Sequence, residues 1–318
     1  MNEKMNIGID LGATSAKIGL VAKNGKIIDR SIIPSNNTED EIVFINALIS
    51  EINALAAKNQ IDKIQGIGIG APNGNYLKGT IEFAQNTTWG KDKVINFADI
   101  ISEKTGVKCL LTNDANAAAL GEMRYGIAKG MKNFIEITLG TGLGAGVVVD
   151  GKILYGNDGM AGELGHYKIY RHGDIRRCTC GNYGCLEAYC SAIGVANNAR
   201  NILSSLAVDS SLKNYKPNEI TSQIIFNEAV KGDKTSLRLF EMEGKLLGEA
   251  FADFSAIFSP QAIILFGGLT KAKEYFYPTL LAHFEKNLLP NQKGKIELLF
   301  SSLPEYDAAI LGAEALIA

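Results

Sequence analysis

Three cysteines and a histidine stand close together in the second half of the chain: His166, Cys178, Cys180 and Cys185, within HYKIYRHGDIRRCTCGNYGCLE (166–187). Thiolates and imidazoles are the ligands Zn²⁺ prefers, and this set completes a tetrahedral shell. A closed shell holds a loop and leaves catalysis to other groups. Because zinc takes one ring nitrogen, the other nitrogen of His166 remains free to donate into a pocket. A redox pair in Cys178-Thr179-Cys180 and plain buried thiols are the competing readings, and His172 is a rival fourth ligand. Cys109 and Cys190 complete the five cysteines and read as core residues; an odd count argues against a disulfide framework.

Two Gly-Thr turns suggest a second chemistry. Asp10-Leu11-Gly12-Ala13-Thr14 and Thr138-Leu139-Gly140-Thr141-Gly142 each close a strand-like run. Glycine lets backbone N–H groups converge on an anion and threonine adds hydroxyl donors, so each turn can hold phosphate oxygens. Asp10 can anchor Mg²⁺ through water, since Mg²⁺ takes few protein carboxylates. One such turn alone reads as a plain hairpin; a matching pair favours phosphate. Neither is a Walker A loop or a dinucleotide fingerprint.

Asn113-Asp114 precedes an Ala-rich helix that starts near Ala115. Both residues suit an N-cap. Asp114 equally suits a base acting on an incoming hydroxyl, because ligands gather at the C-terminal ends of strands in α/β sheets. Glu163, three residues before His166, and Glu187, two after Cys185, offer acceptors to a polyhydroxylated ligand.

The elements that must position these groups alternate between strand and helix, which defines an α/β chain. MNIGIDL, AKIGLVA and KIIDRSII read as a meander of strands, Glu39 to Lys58 has the spacing of an amphipathic helix, and KIQGIGIGAP reads as a buried strand. VKCLLTNDANAAALGEMRYG then reads as a strand, a polar turn at Thr112 to Asp114, and a helix. Helical patterns follow near 188–206, 222–231 and 235–258, then a strand over 262–268, another helix, the strand KIELLFSS and a closing helix DAAILGAEALIA. An internal repeat organises the whole. IGIDLGATSAKIGLV (7–21) laid over IEITLGTGLGAGVVV (135–149) matches Ile, Ile, Leu, Gly and Val, and both copies continue into GKI, so two related domains are expected. Their expected extents are 1–118 plus 303–318, and 119–302.

The 318 residues are 46% hydrophobic, enough for a large core, and no run approaches a membrane span. The polar start leaves no room for a signal peptide, so a cytoplasmic location is expected. A formal net charge of −2 with scattered basic residues lacks the footprint of a nucleic-acid binder.

With these residues assembled, the chain resembles the ROK family of sugar kinases through IGIDLGAT, GIGAPNG, TNDANAAALGE, ITLGTGLGAGVV, AGELGH, CTCGNYGCLE and LFGGL, over nearly its whole length. The resemblance implies the two-domain actin-like (ribonuclease H-like) ATPase fold with the active site in a cleft between the domains. It implies phosphoryl transfer from ATP to the 6-hydroxyl of glucose or another hexose or N-acetylhexosamine, with Asp114 as base. Asn113, Glu163, His166 and Glu187 match the family's sugar-binding positions, and Asn73 and Gly74 match the loop that borders the sugar. Gly12, Ala13, Thr14 and Lys17, with Thr138, Gly140, Thr141 and Gly142, match its phosphate loops, although Ala13 stands where a second glycine is common. Gly267 and Gly268 match a glycine pair near the adenosine, and His166, Cys178, Cys180 and Cys185 match the zinc ligands. A homodimer or homotetramer is also implied. The family includes transcriptional repressors that carry a DNA-binding domain ahead of the first strand; here that strand begins by Met5, so a regulator is not expected.

Overall fold

The structure, a computed structural model, describes residues 5–173, 175–204 and 208–317. Contacts divide them into two compact units: one runs to Met131 and includes Gly146–Gly162 and Ser301 onward, and the other comprises Lys132–Ala145 and Glu163–Phe300.

The chain begins with β1 (Met5–Leu11), β2 (Ser15–Ala22), β3 (Ile27–Pro34), α1 (Glu41–Lys58) and β4 (Ile64–Ala71). After β5 (Gly74–Asn75), β6 (Thr80–Glu82), β7 (Val94–Ile95) and α2 (Phe97–Thr105) come β8 (Cys109–Asn113) and α3 (Asp114–Tyr125). The main sheet has the order β3-β2-β1-β4-β8. β1 to β3 pair antiparallel, whereas β1, β4 and β8 run parallel. The parallel strands therefore end on one edge, at Leu11, Ala71 and Asn113. Ile7, Ile9, Ile67 and Ile69 have no solvent exposure, as expected of strands covered on both faces.

Next come β9 (Phe134–Leu139), β10 (Leu143–Val149) and β11 (Lys152–Ile153), then α4 (Glu187–Cys190), α5 (Ala192–Leu203), α6 (Ser222–Val230) and α7 (Lys234–Phe258). β12 (Ala262–Phe266), α8 (Lys273–Asn287), β13 (Glu297–Phe300) and α9 (Glu305–Glu314) complete the chain. The second sheet has the order β11-β10-β9-β12-β13, so its third, second, first, fourth and fifth strands lie as they do in the first sheet. The hairpins β1–β2 and β9–β10 are the two copies read from sequence.

Glycines let α9 lie against backbone in the first unit. A Cβ on Gly8 would sit 2.2 Å from the Ile310 carbonyl oxygen, and one on Gly68 would sit 1.9 Å from that of Ala313. On the helix itself, a Cβ on Gly312 would sit 2.2 Å from the Ala117 oxygen of α3. Helix α9 thus packs on β1 and β4 and holds α3, whose first residue is Asp114.

Some expectations differ from what is found. No turn separates β8 from α3: Asn113 is still extended and Asp114 is already helical. The helical pattern near 188–206 divides at Ser191, whose hydroxyl caps α5 by accepting from the Gly194 N–H; residues 205 and 206 lie outside the described residues. The closing helix starts at Glu305, and Ala318 lies outside the described residues. The expected domain boundary between 118 and 119 would fall inside α3, which packs as one piece against α9. The small sheet of β5, β6 and β7 and helix α2 are found where no element was expected. No helix among the described residues is long and apolar enough to cross a membrane.

Because the methyl group of Gly68→Ala would meet backbone and not a yielding side chain, that substitution should destabilise the protein by about 1–3 kcal/mol, measured by urea unfolding.

Candidate functional site

In the first unit, the C-terminal edge of the parallel strands gathers the expected residues. Asn113 accepts from the Ala115 N–H at 2.9 Å, and Asp114 Oδ1 accepts from the same group at 2.8 Å. The capping role and the placement of the Asp114 carboxylate thus coexist. Asp114 is exposed on one side yet hemmed in by protein, and this loss of hydration is the largest influence on its carboxyl, raising its pKa above the usual 3.8. The Ala115 N–H pulls the value down, and the negative charge of Asp10 raises it. Gly74 lies against the same strand end: a Cβ there would sit 2.4 Å from the Thr112 oxygen. Asn73 has a left-handed φ of 52°, and its side-chain amide donates to the Glu82 and Phe83 carbonyls at 2.9 and 3.1 Å. It therefore shapes its own loop.

Asp10 and Lys17 face each other across the β1–β2 hairpin and form an ion pair of 2.7 Å. Between them, the Gly12 and Thr14 carbonyls are tied to Ser35, by its hydroxyl at 2.7 Å and its N–H at 3.1 Å. Ala13 does not have a positive φ, so the backbone there tolerates a methyl group where a glycine is common.

In the second unit, the turn after β9 is held from several sides. Thr138 Oγ1 accepts from the Gly144 N–H at 3.1 Å, the Gly140 N–H donates to the Gly142 oxygen at 3.1 Å, and the Ala192 N–H donates to the Gly140 oxygen at 2.9 Å. Thr141, at the tip, is exposed. Thr138 pairs with Phe266 across β9 and β12, which brings Gly267 beside the turn. Gly267 has φ of 104°, and a Cβ would lie 2.5 Å from the Leu139 oxygen, so glycine is required. Gly268 opens a short 3₁₀ helix, Gly268–Ala272. Beside it is a pocket that sequence reasoning missed, lined by Phe226, Phe240, Leu269, Ser222, Gln223 and Lys271. Its walls come from α6, α7 and the 3₁₀ helix, and no local pattern announces such a meeting.

His166, Cys178, Cys180 and Cys185 converge, their ligand atoms all within 4.8 Å of one another. Cys178 Sγ lies 3.7 Å from His166 Nδ1, and Cys180 Sγ lies 3.8 Å from Cys185 Sγ. A tetrahedron with metal–sulfur arms of about 2.3 Å has edges of about 3.8 Å, so these residues fit Zn²⁺. His172 is not a member of the group. Burial pushes the Cys178 thiol up to about 12, so a cation is what would hold it as thiolate at neutral pH. Lys168 Nζ, 3.2 Å from Cys185 Sγ, offers a positive charge to the thiolates. With Nδ1 turned to the cluster, His166 directs Nε2 outward, 3.9 Å from Glu163 Oε2. Gly165, between these two, packs against Leu143: a Cβ would sit 2.0 Å from its oxygen. Glu187 Oε2 accepts from the Leu143 N–H at 3.0 Å. Glu163, His166 and Glu187 are thereby brought to the start of β10.

This duplicated sheet topology, with carboxylates and Gly-Thr turns at strand ends, is the α/β actin-like (ribonuclease H-like) fold of sugar kinases and their relatives. The profile of the ROK family matches residues 6–318, and the chain belongs to that family. It is 33% identical to a glucokinase of Halalkalibacterium halodurans, covering 100% of this chain and 96% of that one. It is 34% identical to a glucokinase of Thermotoga maritima, covering 98% and 96%. Among solved structures, a ROK family transcriptional regulator, a homologue of the E. coli MLC protein, superposes with a TM-score of 0.87 at 28% identity, over 99% of this chain and 78% of that one. A ROK family glucokinase from Streptomyces griseus in complex with glucose and AMPPNP gives a TM-score of 0.79 at 27% identity, over 98% of each chain.

If the four-residue cluster holds zinc, elemental analysis should find about one zinc per chain, and Cys185→Ser should lose it. Zinc binding to the stripped protein should release protons, measured in weakly buffered solution, because the thiols ionise on binding.

Proposed function

We propose that the protein is an ATP-dependent hexose kinase that phosphorylates the 6-hydroxyl of glucose. The observation that supports this reading most is Asp114, a carboxylate with a raised pKa where β8 passes into α3, beside Asn113 and Gly74. A sugar hydroxyl is too weakly acidic to ionise at neutral pH. Asp114 accepts its proton as the oxygen attacks the γ-phosphorus and ADP departs, and a raised pKa makes a carboxylate a better acceptor. Asn73, Gly74, Asn113, Glu163, His166 and Glu187 take the sugar's other hydroxyls, the carboxylates serving as acceptors.

The phosphates fall to Gly12, Ala13, Thr14 and Lys17, and to Thr138, Gly140, Thr141 and Gly142. Asp10 would hold the nucleotide's Mg²⁺, whose charge screens the phosphates. The adenosine falls to the pocket beside Gly267 and Gly268, where Phe226 and Phe240 offer apolar surface and Ser222 and Gln223 offer hydrogen bonds. Zn²⁺ at His166, Cys178, Cys180 and Cys185 would be structural, fixing the loop that carries Glu187.

The regulator that superposes with a TM-score of 0.87 supports a second reading, a sugar sensor. Turnover separates the two. ADP release measured across hexoses and N-acetylhexosamines should be fastest with glucose, and an electrophoretic shift with promoter DNA should show nothing. Absence of sugar-dependent ADP release together with a DNA shift overturns the kinase reading.

Asp114→Asn should lower kcat about 10²-fold or more while glucose binding persists in calorimetry. Because the base works only when deprotonated and its pKa lies above 3.8, activity should fall with decreasing pH through a limb above that value. That limb should be absent from the residual activity of Asp114→Asn.

A further inference from the structure

Thr179 lies between the first two candidate cysteine ligands, and its hydroxyl makes a pointed contact. Thr179 Oγ1 donates to Glu187 Oε1 at 2.6 Å. The other carboxylate oxygen, Oε2, accepts from the Leu143 N–H at 3.0 Å, at the end of the Thr138–Gly142 turn. One carboxylate therefore joins the cysteine loop to the glycine turn, Glu187 and Leu143 being 44 residues apart in sequence. Gly142 belongs to the same arrangement: a Cβ there would lie 2.7 Å from Glu187 Oε2, so a side chain would push the carboxylate off the Leu143 N–H.

The second neighbour of Glu187 Oε1 is Cys178 Sγ at 3.4 Å, placed as a thiol donor. Thr179, at 2.6 Å, is the closer of the two donors seen on Oε1. With a metal bound, its chain neighbours Cys178 and Cys180 would both be ligands and would hold its backbone on either side.

We propose that Thr179 is a positioning residue: it fixes the Glu187 carboxylate and so couples metal occupancy of the cysteine cluster to the conformation of the Thr138–Gly142 turn. The coupling itself rests on contacts within one unit. Its consequence for catalysis, that metal loss loosens nucleotide binding as well as sugar binding, rests on the kinase reading. The cysteine cluster would then act on both substrates through a single side chain.

Hydrogen exchange by mass spectrometry on the full-length, zinc-loaded protein tests the coupling without reference to activity. The Leu143 amide should exchange about tenfold faster in Thr179→Val than in wild type, as expected on weakening a hydrogen bond to a charged acceptor. Thr179→Ser should restore protection, and zinc content should be unchanged in both. Gly142→Ala, which displaces Glu187 from the other side, should expose the same amide with zinc retained. Stripping zinc should accelerate exchange in wild type and add little in Thr179→Val. Wild-type protection of Leu143 in zinc-loaded Thr179→Val and Gly142→Ala overturns the proposal.

Calorimetry with a non-hydrolysable ATP analogue gives the second readout: Thr179→Val should bind it several-fold more weakly, with rescue by serine. If wild type binds neither hexose nor nucleotide, the kinase reading fails while the exchange result still decides the coupling.

Discussion

The passage from β8 into α3 without an intervening turn is the constraint on which the first unit's chemistry depends. Within one peptide unit the chain goes from extended at Asn113 to helical at Asp114. Such a junction leaves helix N–H groups without carbonyl partners, and Asn113 satisfies that of Ala115 with its side chain. Asp114 then has little freedom. Its backbone is set by the strand before it and the helix after it, and its carboxylate leans on the same N–H. Backbone contacts hold the junction from behind, α3 against Gly312 of α9, and α9 against Gly8 and Gly68. Under the proposed kinase reading such rigidity aids Asp114, since alignment is most of what phosphoryl transfer asks of a protein.

The second unit solves a different problem, holding an exposed loop that lacks the apolar content to pack by itself. Residues 171–173 and 179–183 are exposed, so burial contributes little to their order. A metal ion held by the four converging ligand atoms would supply the missing restraint. That restraint would reach beyond the loop because Leu186 and Glu187 follow Cys185 directly. Leu186 is fully buried, its N–H donates to the Tyr167 carbonyl, and Glu187 opens α4.

Duplication supplied one scaffold twice, and the copies diverged at the position where each first strand ends. Asp10 in the first copy corresponds to Thr138 in the second. Asp10 pairs with Lys17 across its hairpin, whereas Thr138 uses its hydroxyl to accept from Gly144. One turn is flanked by an ion pair and the other is braced by neutral hydrogen bonds. The shared strand order places both at equivalent sheet edges.

Sequence by itself determined the alternation of strands and helices, the duplicated hairpins, the cysteine cluster and the family, because each is written in residues near one another or in a repeat that can be laid over itself. His166 against His172 was open from spacing, and only the folded loop decided it. The sheet of β5 to β7 escaped because strands of two or three residues carry too little periodicity, and α2, with nine residues, spans less than three turns. The missing turn at Asn113 escaped because Asn and Asp suit turns and N-caps equally. Tertiary structure alone decided the contacts of Glu187 with Leu143, the pocket walled by α6, α7 and Gly268, and the placing of Gly74 against the strand that ends beside Asp114. Each depends on groups distant in sequence, whose meeting is set by how helices and sheet pack and not by any local pattern.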